Sequence, residues 1–189
     1  MSIIELFKKN IVFFDEIKDE GIIEDYALIG GLALSAWIRP RTTKDIDIVI
    51  AVSKKIKWEN IASIIETRLH KKVAIQKGTQ RTNIKEKLSF ISGQLEVDVI
   101  NTRGFSLAEE AIRNAVVTDV FGKNVKVVTP EYLILLKLLP LSDQDTVDIK
   151  ALIKKADKKK LGTLAQKHHL LSKLQSIVHI DIPCSNQEI

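Results

Sequence analysis

The chain has 189 residues, 45% of them apolar, and a formal net charge of +5. That composition excludes global disorder and leaves room for one core with a helical appendage, while no apolar run reaches the roughly 20 residues a membrane-spanning helix needs. One cysteine, Cys184, excludes an internal disulfide framework, and Glu5, Lys8, Lys9 and Asn10 interrupt any signal-peptide pattern, so a soluble cytoplasmic protein is expected.

Ser2 and Glu5 form a capping-box pattern ahead of Leu6, Phe7, Ile11, Phe14 and Ile17, which recur at helical spacing. A first helix therefore runs to about residue 19 and stops near Gly21. Residues 26–29 read as a short buried strand closed by Gly30 and Gly31, and 32–38 as a helix ended by Pro40. Residues 45–52 alternate and are rich in β-branched side chains, hence a strand. Trp58, Ile61, Ile64, Ile65 and Leu69 trace a helix, and 73–76 a further strand. Residues 88–92 and 95–100 flank Gly93 and Gln94 as a hairpin. Ser106 and Glu109 repeat the capping-box pattern and open a helix to about 115; a second hairpin, 116–121 and 125–128, turns around Gly122 and Lys123.

Beyond Val128 the pattern is helical. Thr129 can cap, Pro130 suits the first helical position, and Glu131 suits the positive end of the dipole. Helices are predicted around 131–139, 146–155, 160–168 and 171–178. The fold class expected is α/β (α+β): a mixed β-sheet flanked by helices over 1–128, with a helical segment, 129–189, packed on it.

The chemistry is concentrated between Tyr26 and Ala51. On a strand, Asp45 and Asp47 share one face while Ile46 and Ile48 share the other, with the aspartate Cα atoms ~6.5–7 Å apart. Two carboxylates at that spacing can hold a hard cation, although an amphipathic surface strand has the same pattern. Asp98, between Val97 and Val99 in another predicted strand, completes a three-carboxylate set if the strands are neighbours. Such a set holds two divalent cations about 3.5–4 Å apart, the arrangement used for in-line phosphoryl displacement. Glu96 shares a face with Asp98, but reads better as a surface acid at a strand end. Gly30 and Gly31 let a phosphate approach backbone N–H groups, or serve only close strand–helix packing.

Gly30-Gly31, a helix, the run Arg41-x-Thr43-x-Asp45-Ile46-Asp47, and then Asp98 in an apolar strand resemble the nucleotidyltransferase superfamily, whose core is that of DNA polymerase beta. The resemblance is to the branch holding the abortive-infection type E toxins and minimal nucleotidyltransferase-like proteins. It implies a metal-dependent transfer of a nucleoside monophosphate from an NTP such as ATP to a hydroxyl, with pyrophosphate leaving. It further implies that Asp45, Asp47 and Asp98 are catalytic and hold two Mg2+ ions, or Mn2+, with Asp98 also taking the proton of the attacking hydroxyl. Gly30 and Gly31 would line the triphosphate, with Arg41 and Thr43 near phosphate or acceptor. Many members have serine where this chain has Gly31, which removes one hydroxyl contact.

Lys137, in an apolar helix, must either snorkel to solvent or meet an anion. The toxin-like relatives carry a similar lysine and a later aspartate, so Lys137 either contacts a nucleotide phosphate or pairs with Asp148. Asp143, Asp145 and Asp148 suit helix starts. The 150–175 stretch holds eight lysines against one acid, Asp157, leaving the rest of the chain net negative. This basic 150–173 region fits an RNA acceptor or an ordinary solvated helix face, and the toxin resemblance implies a tRNA 3′ end as that RNA. His168 and His169 lack partners at metal spacing, so zinc is not expected. A protein side chain as acceptor, and a non-catalytic nucleotide- or RNA-binding module of the same fold, remain alternatives; the toxin resemblance also implies an antitoxin partner.

Overall fold

The structure, a computed structural model, describes residues 1–38, 43–78 and 84–178. Arg41, Pro40 and Cys184 lie outside the described residues. The expected mixed architecture is present. In chain order it runs α1 (Ile3–Asp19), β1 (Asp25–Ile29), α2 (Gly30–Trp37), β2 (Asp45–Ala51), α3 (Trp58–Leu69), β3 (Ala74–Lys77), β4 (Glu86–Ser92) and β5 (Leu95–Asn101). There follow α4 (Ser106–Arg113), β6 (Val116–Val120), β7 (Lys123–Val127), α5 (Pro130–Lys137), α6 (Asp143–Leu152), α7 (Lys158–Lys167) and α8 (Leu171–Ile177).

The strands form one sheet in the order β3-β4-β5-β2-β1-β7-β6. β2 runs antiparallel to β1 and parallel to β5, and β1 runs parallel to β7. The central strands β1, β2 and β5 are buried: α1 packs on β1 and β5, α2 and α4 pack on β1 and β2, and α5 packs on α2 and α4, giving a single core cluster that includes Phe7, Phe14, Ile48, Val99, Ile134 and Leu174. The Ser2–Glu5 capping box forms as expected, the Glu5 N–H donating to Ser2 Oγ at 3.2 Å and the Ser2 N–H to Glu5 Oε2 at 2.6 Å.

Three local expectations are corrected. Ser106 does not cap α4: Phe105 occupies that position, and the Glu109 carboxylate accepts the Gly104 N–H at 3.0 Å. Thr129 precedes α5 but makes no capping bond to its backbone, because its hydroxyl donates to Glu131 Oε2 at 2.7 Å. The β6–β7 turn falls at Phe121 and Gly122, both with positive φ (54° and 73°), one residue earlier than predicted. Phe121 occupies that unfavourable conformation while its ring meets Phe7 edge-on at 5.7 Å, packing that offsets the strain.

Candidate functional site

The site is built where β1 ends against β2. Ile29 stands opposite Asp47, so the chain enters α2 beside that carboxylate. Gly30 and Gly31 are the first two residues of α2, not a loop before it. Gly30 has φ +64°, and a Cβ there would lie 1.9 Å from Asp47 Oδ2. Both the backbone conformation and the space therefore demand glycine. A Cβ on Gly31 would meet Thr43 Oγ1 at 3.2 Å, and that same hydroxyl accepts the Asp45 N–H at 3.2 Å. Thr43 thus pins the entry to β2 directly beneath the start of α2.

Asp45 and Asp47 share one face of β2, as the burial of Ile46 and Ile48 requires. Parallel pairing with β5 sets Asp47 beside Asp98 and Asp45 beside the exposed Glu96. The three aspartates therefore lie on one sheet face. Their surroundings differ. Among the described residues, neither the Asp45 nor the Asp47 carboxylate has a hydrogen-bond or ion-pair partner. Asp98 has two, both from β4: Ser89 Oγ donates to Oδ1 at 2.5 Å and Lys87 Nζ to Oδ2 at 2.6 Å. Burial pushes the Asp47 carboxyl up to about 6, helped by the negative charges of Asp98 and Asp45 and opposed by Lys137 and Lys87. Among the described residues, no group of three or more His, Cys, Asp or Glu is arranged to hold a metal ion.

A cavity of about 310 Å³ opens over this face. Gly30, Gly31, Thr43, Asp45 and Asp47 line one wall, while Lys137, Asp145 and Asp148 line another. Val49, Ile100 and Phe105 contribute an apolar end, the usual make-up of a small-molecule site with a few convergent polar groups. Asp98 is not among the lining residues; it stands at the β4 side of the same face.

Lys137 meets an anion rather than solvent. Its Nζ donates to Asp148 Oδ2 at 2.8 Å and to Asp145 Oδ1 at 3.0 Å, and its side chain is 12% exposed. Gln144 Nε2 supports Asp148 from its other oxygen at 2.9 Å. Burial alone would raise the Asp145 carboxyl, but the Ser142 backbone and hydroxyl and then Lys137 hold it below the usual range. Asp145 also completes a capping box with Ser142 that starts α6 three residues before the predicted 146.

The basic 150–173 region is not one patch. Lys154, Lys155, Lys158, Lys159 and Lys160 are exposed around the α6–α7 connection. Lys167 instead pairs with Glu110 at 2.7 Å, and Lys173 donates to the Leu139 carbonyl at 3.2 Å. Lys87, Ser89 and Asp145 were not among the residues expected to act at the site. A signal existed for the first two: with the turn at Gly93 and Gln94, hairpin register sets Ser89 opposite Asp98 and puts Lys87 on the same face.

A family model described as "Nucleotidyl transferase AbiEii toxin, Type IV TA system" matches residues 12–167. Among solved structures, the chain is similar to an antigenic nucleotidyltransferase-like protein from Paracoccidioides brasiliensis, with a TM-score of 0.56 and 21% identity over 95% of this chain and 99% of that one. It is also similar to the antibiotic-resistance factor ANT(2'')-Ia in solution, with a TM-score of 0.56 and 15% identity over 92% and 91% of the two chains. The same factor in complex with adenylyl-2''-tobramycin gives a TM-score of 0.54 at 14% identity, over 91% and 97%. At these identities the likeness speaks for the fold. No curated protein sequence matches the chain. No helix among the described residues is long and apolar enough to cross a membrane.

Proposed function

The chain belongs to the AbiEii nucleotidyltransferase toxin family, and on that premise we propose that it transfers a nucleoside monophosphate from an NTP to an RNA hydroxyl, such as a tRNA 3′ end. One observation carries the reading: Asp45 and Asp47 present two carboxylates, without a partner among the described residues, to a cavity whose wall is a glycine-started helix.

The residues fit a divalent cation of the magnesium type. Asp45 and Asp47 supply hard oxygen donors, and the negative charges of Asp98 and Asp45, which add to burial in raising the Asp47 carboxyl, favour a cation beside it. A bound ion supplies Lewis-acid polarisation and neutralises phosphate charge. The chain's own residues do the rest. Gly30 and Gly31 bring backbone N–H groups of the α2 N-terminus to the triphosphate, where the helix dipole favours anions. Thr43, beneath the start of α2, flanks the phosphates. Lys137 uses two of its three donors on Asp145 and Asp148 and turns the third towards the nucleotide. Val49, Ile100 and Phe105 shield the apolar face of the base. Asp98 takes the proton of the attacking hydroxyl; a new O–P bond forms at the α-phosphorus and the bond to pyrophosphate breaks.

The exposed lysines of 154–159 support an RNA acceptor, since they suit a polyanionic strand. The family's type IV toxin–antitoxin description supports an antitoxin partner. To test the reading, the protein is incubated with each α-labelled NTP, magnesium, and either total RNA or lysate protein. Label is expected in RNA, and Asp45→Asn or Asp47→Asn should reduce it to background in a chain that still folds. Label in protein would replace the acceptor, and NTP binding without transfer to either fraction would reduce the chain to a binding module.

A further inference from the structure

The two sides of the carboxylate face are provided for differently. Asp45 and Asp47 have no partner among the described residues, whereas both oxygens of Asp98 are held by β4. We propose that Lys87 stands in for a second divalent cation, so that the site takes one ion, at Asp45 and Asp47, while Asp98 stays committed to Lys87. This rests on the reading that Asp45 and Asp47 bind a divalent cation.

Lys87 is where it is because of the hairpin. Leu88 and Phe90 are buried on the opposite face of β4, and Gly93 turns the chain with φ +66°. A one-residue slip would expose both apolar side chains, so the register that sets Ser89 opposite Asp98 is strongly specified. Lys87 and Ser89 then reach Asp98 from one strand, two residues apart, at 2.6 Å and 2.5 Å. The pair is sheltered, with side-chain exposures of 27% for Lys87 and 20% for Asp98, so it is less screened than a surface ion pair.

Lys137 cannot take over this duty, since Asp145 and Asp148 already hold it. One divalent ion together with the Lys87 ammonium neutralises the three carboxylates. A second ion would have to displace a charge-assisted hydrogen bond from a sheltered oxygen. The commitment leaves Asp98 able to act: each carboxylate oxygen has two acceptor positions, and Lys87 and Ser89 use one on each. Asp98 therefore keeps a lone pair for the proton of the attacking hydroxyl while its charge is balanced by Lys87. In this arrangement Lys87 is a positioning residue acting through Asp98.

The test counts bound ions. Mn2+ per chain is measured by electron paramagnetic resonance and equilibrium dialysis on wild type, Asp98→Asn and Lys87→Met, each with a saturating non-hydrolysable NTP analogue. The expected counts are one for wild type, one for Asp98→Asn and two for Lys87→Met, where Asp98 is released to a second ion. Two ions on wild type would overturn the inference, and so would a single ion on a folded Lys87→Met. Loss of the ion in Asp98→Asn would also overturn it, since Asp98 would then be a ligand. No bound ion in any of the three sinks the underlying metal reading instead. The wild-type and Asp98→Asn counts decide the matter even if Lys87→Met fails to fold.

Discussion

Gly30 and Asp47 constrain each other: the carboxylate fills the space that any side chain at position 30 would need, and the glycine lets the helix start within reach of it. The consequence is a carboxyl held at about 6, primarily by burial and then by Asp98 and Asp45. The ordinary value is 3.8, so between these two pH values the folded chain keeps a proton that the unfolded chain has lost. Stability from this group therefore falls as pH rises through that window, and the loss is complete above it. Asn at position 47 cannot ionise. With chelator present, Asp47→Asn is expected to melt several degrees above wild type at about pH 7.5, with the gap closing near pH 4. Adding Mg2+ should raise the wild-type melting temperature and leave the variant unmoved. A gap of the same size at both pH values would remove buried charge as its cause.

At the scale of elements, the parts legible in the sequence are those where local pattern and tertiary need agree. The alternation of β2 placed Asp45 and Asp47 on one face, and the apolar neighbours of Asp98 placed it in a strand; the parallel register beside Asp47 could not be read locally. The β4 side chains Lys87 and Ser89 carry no motif, and acquire meaning only through pairing with β5. The start of α6 was misplaced because its capping box uses Asp145 in place of the usual Glu or Gln. That misplacement hid Asp145 as a partner of Lys137. That Lys137 must snorkel or meet an anion is legible from its apolar helix, whereas Asp148 as its partner, which the structure shows, comes from the resemblance to the toxin-like relatives and not from the local sequence. Asp148 is only 4% exposed, so Lys137→Met removes the ammonium that balances a buried carboxylate and is expected to cost about 3 kcal/mol in urea unfolding. Replacing Asp145, Asp148 and Lys137 together by apolar residues should recover most of that loss. Equal instability of the single and triple variants would show that the cluster is held by something other than its charges.

At the scale of the whole molecule, the sheet order puts the carboxylates near its middle, and α5 and α6 close the cavity over them. α6 begins at that cavity with Asp145 and Asp148 in its first two turns, and its ten residues end at Leu152. A helix of that length spans about 15 Å. The exposed lysines of 154–160 follow the end of α6 that points away from Asp145, and on the proposed reading they hold the acceptor strand. Charge there should act on the acceptor and not on the nucleotide. Lys154→Glu, Lys155→Glu and Lys158→Glu combined are expected to leave NTP binding unchanged and to weaken RNA binding steeply at low salt. If each lysine neutralises one phosphate of a single strand, the slope of log affinity against log salt should fall by roughly 2. An unchanged slope, with RNA still labelled at the wild-type rate, would mean that these lysines are only a solvated surface and that the acceptor is held elsewhere.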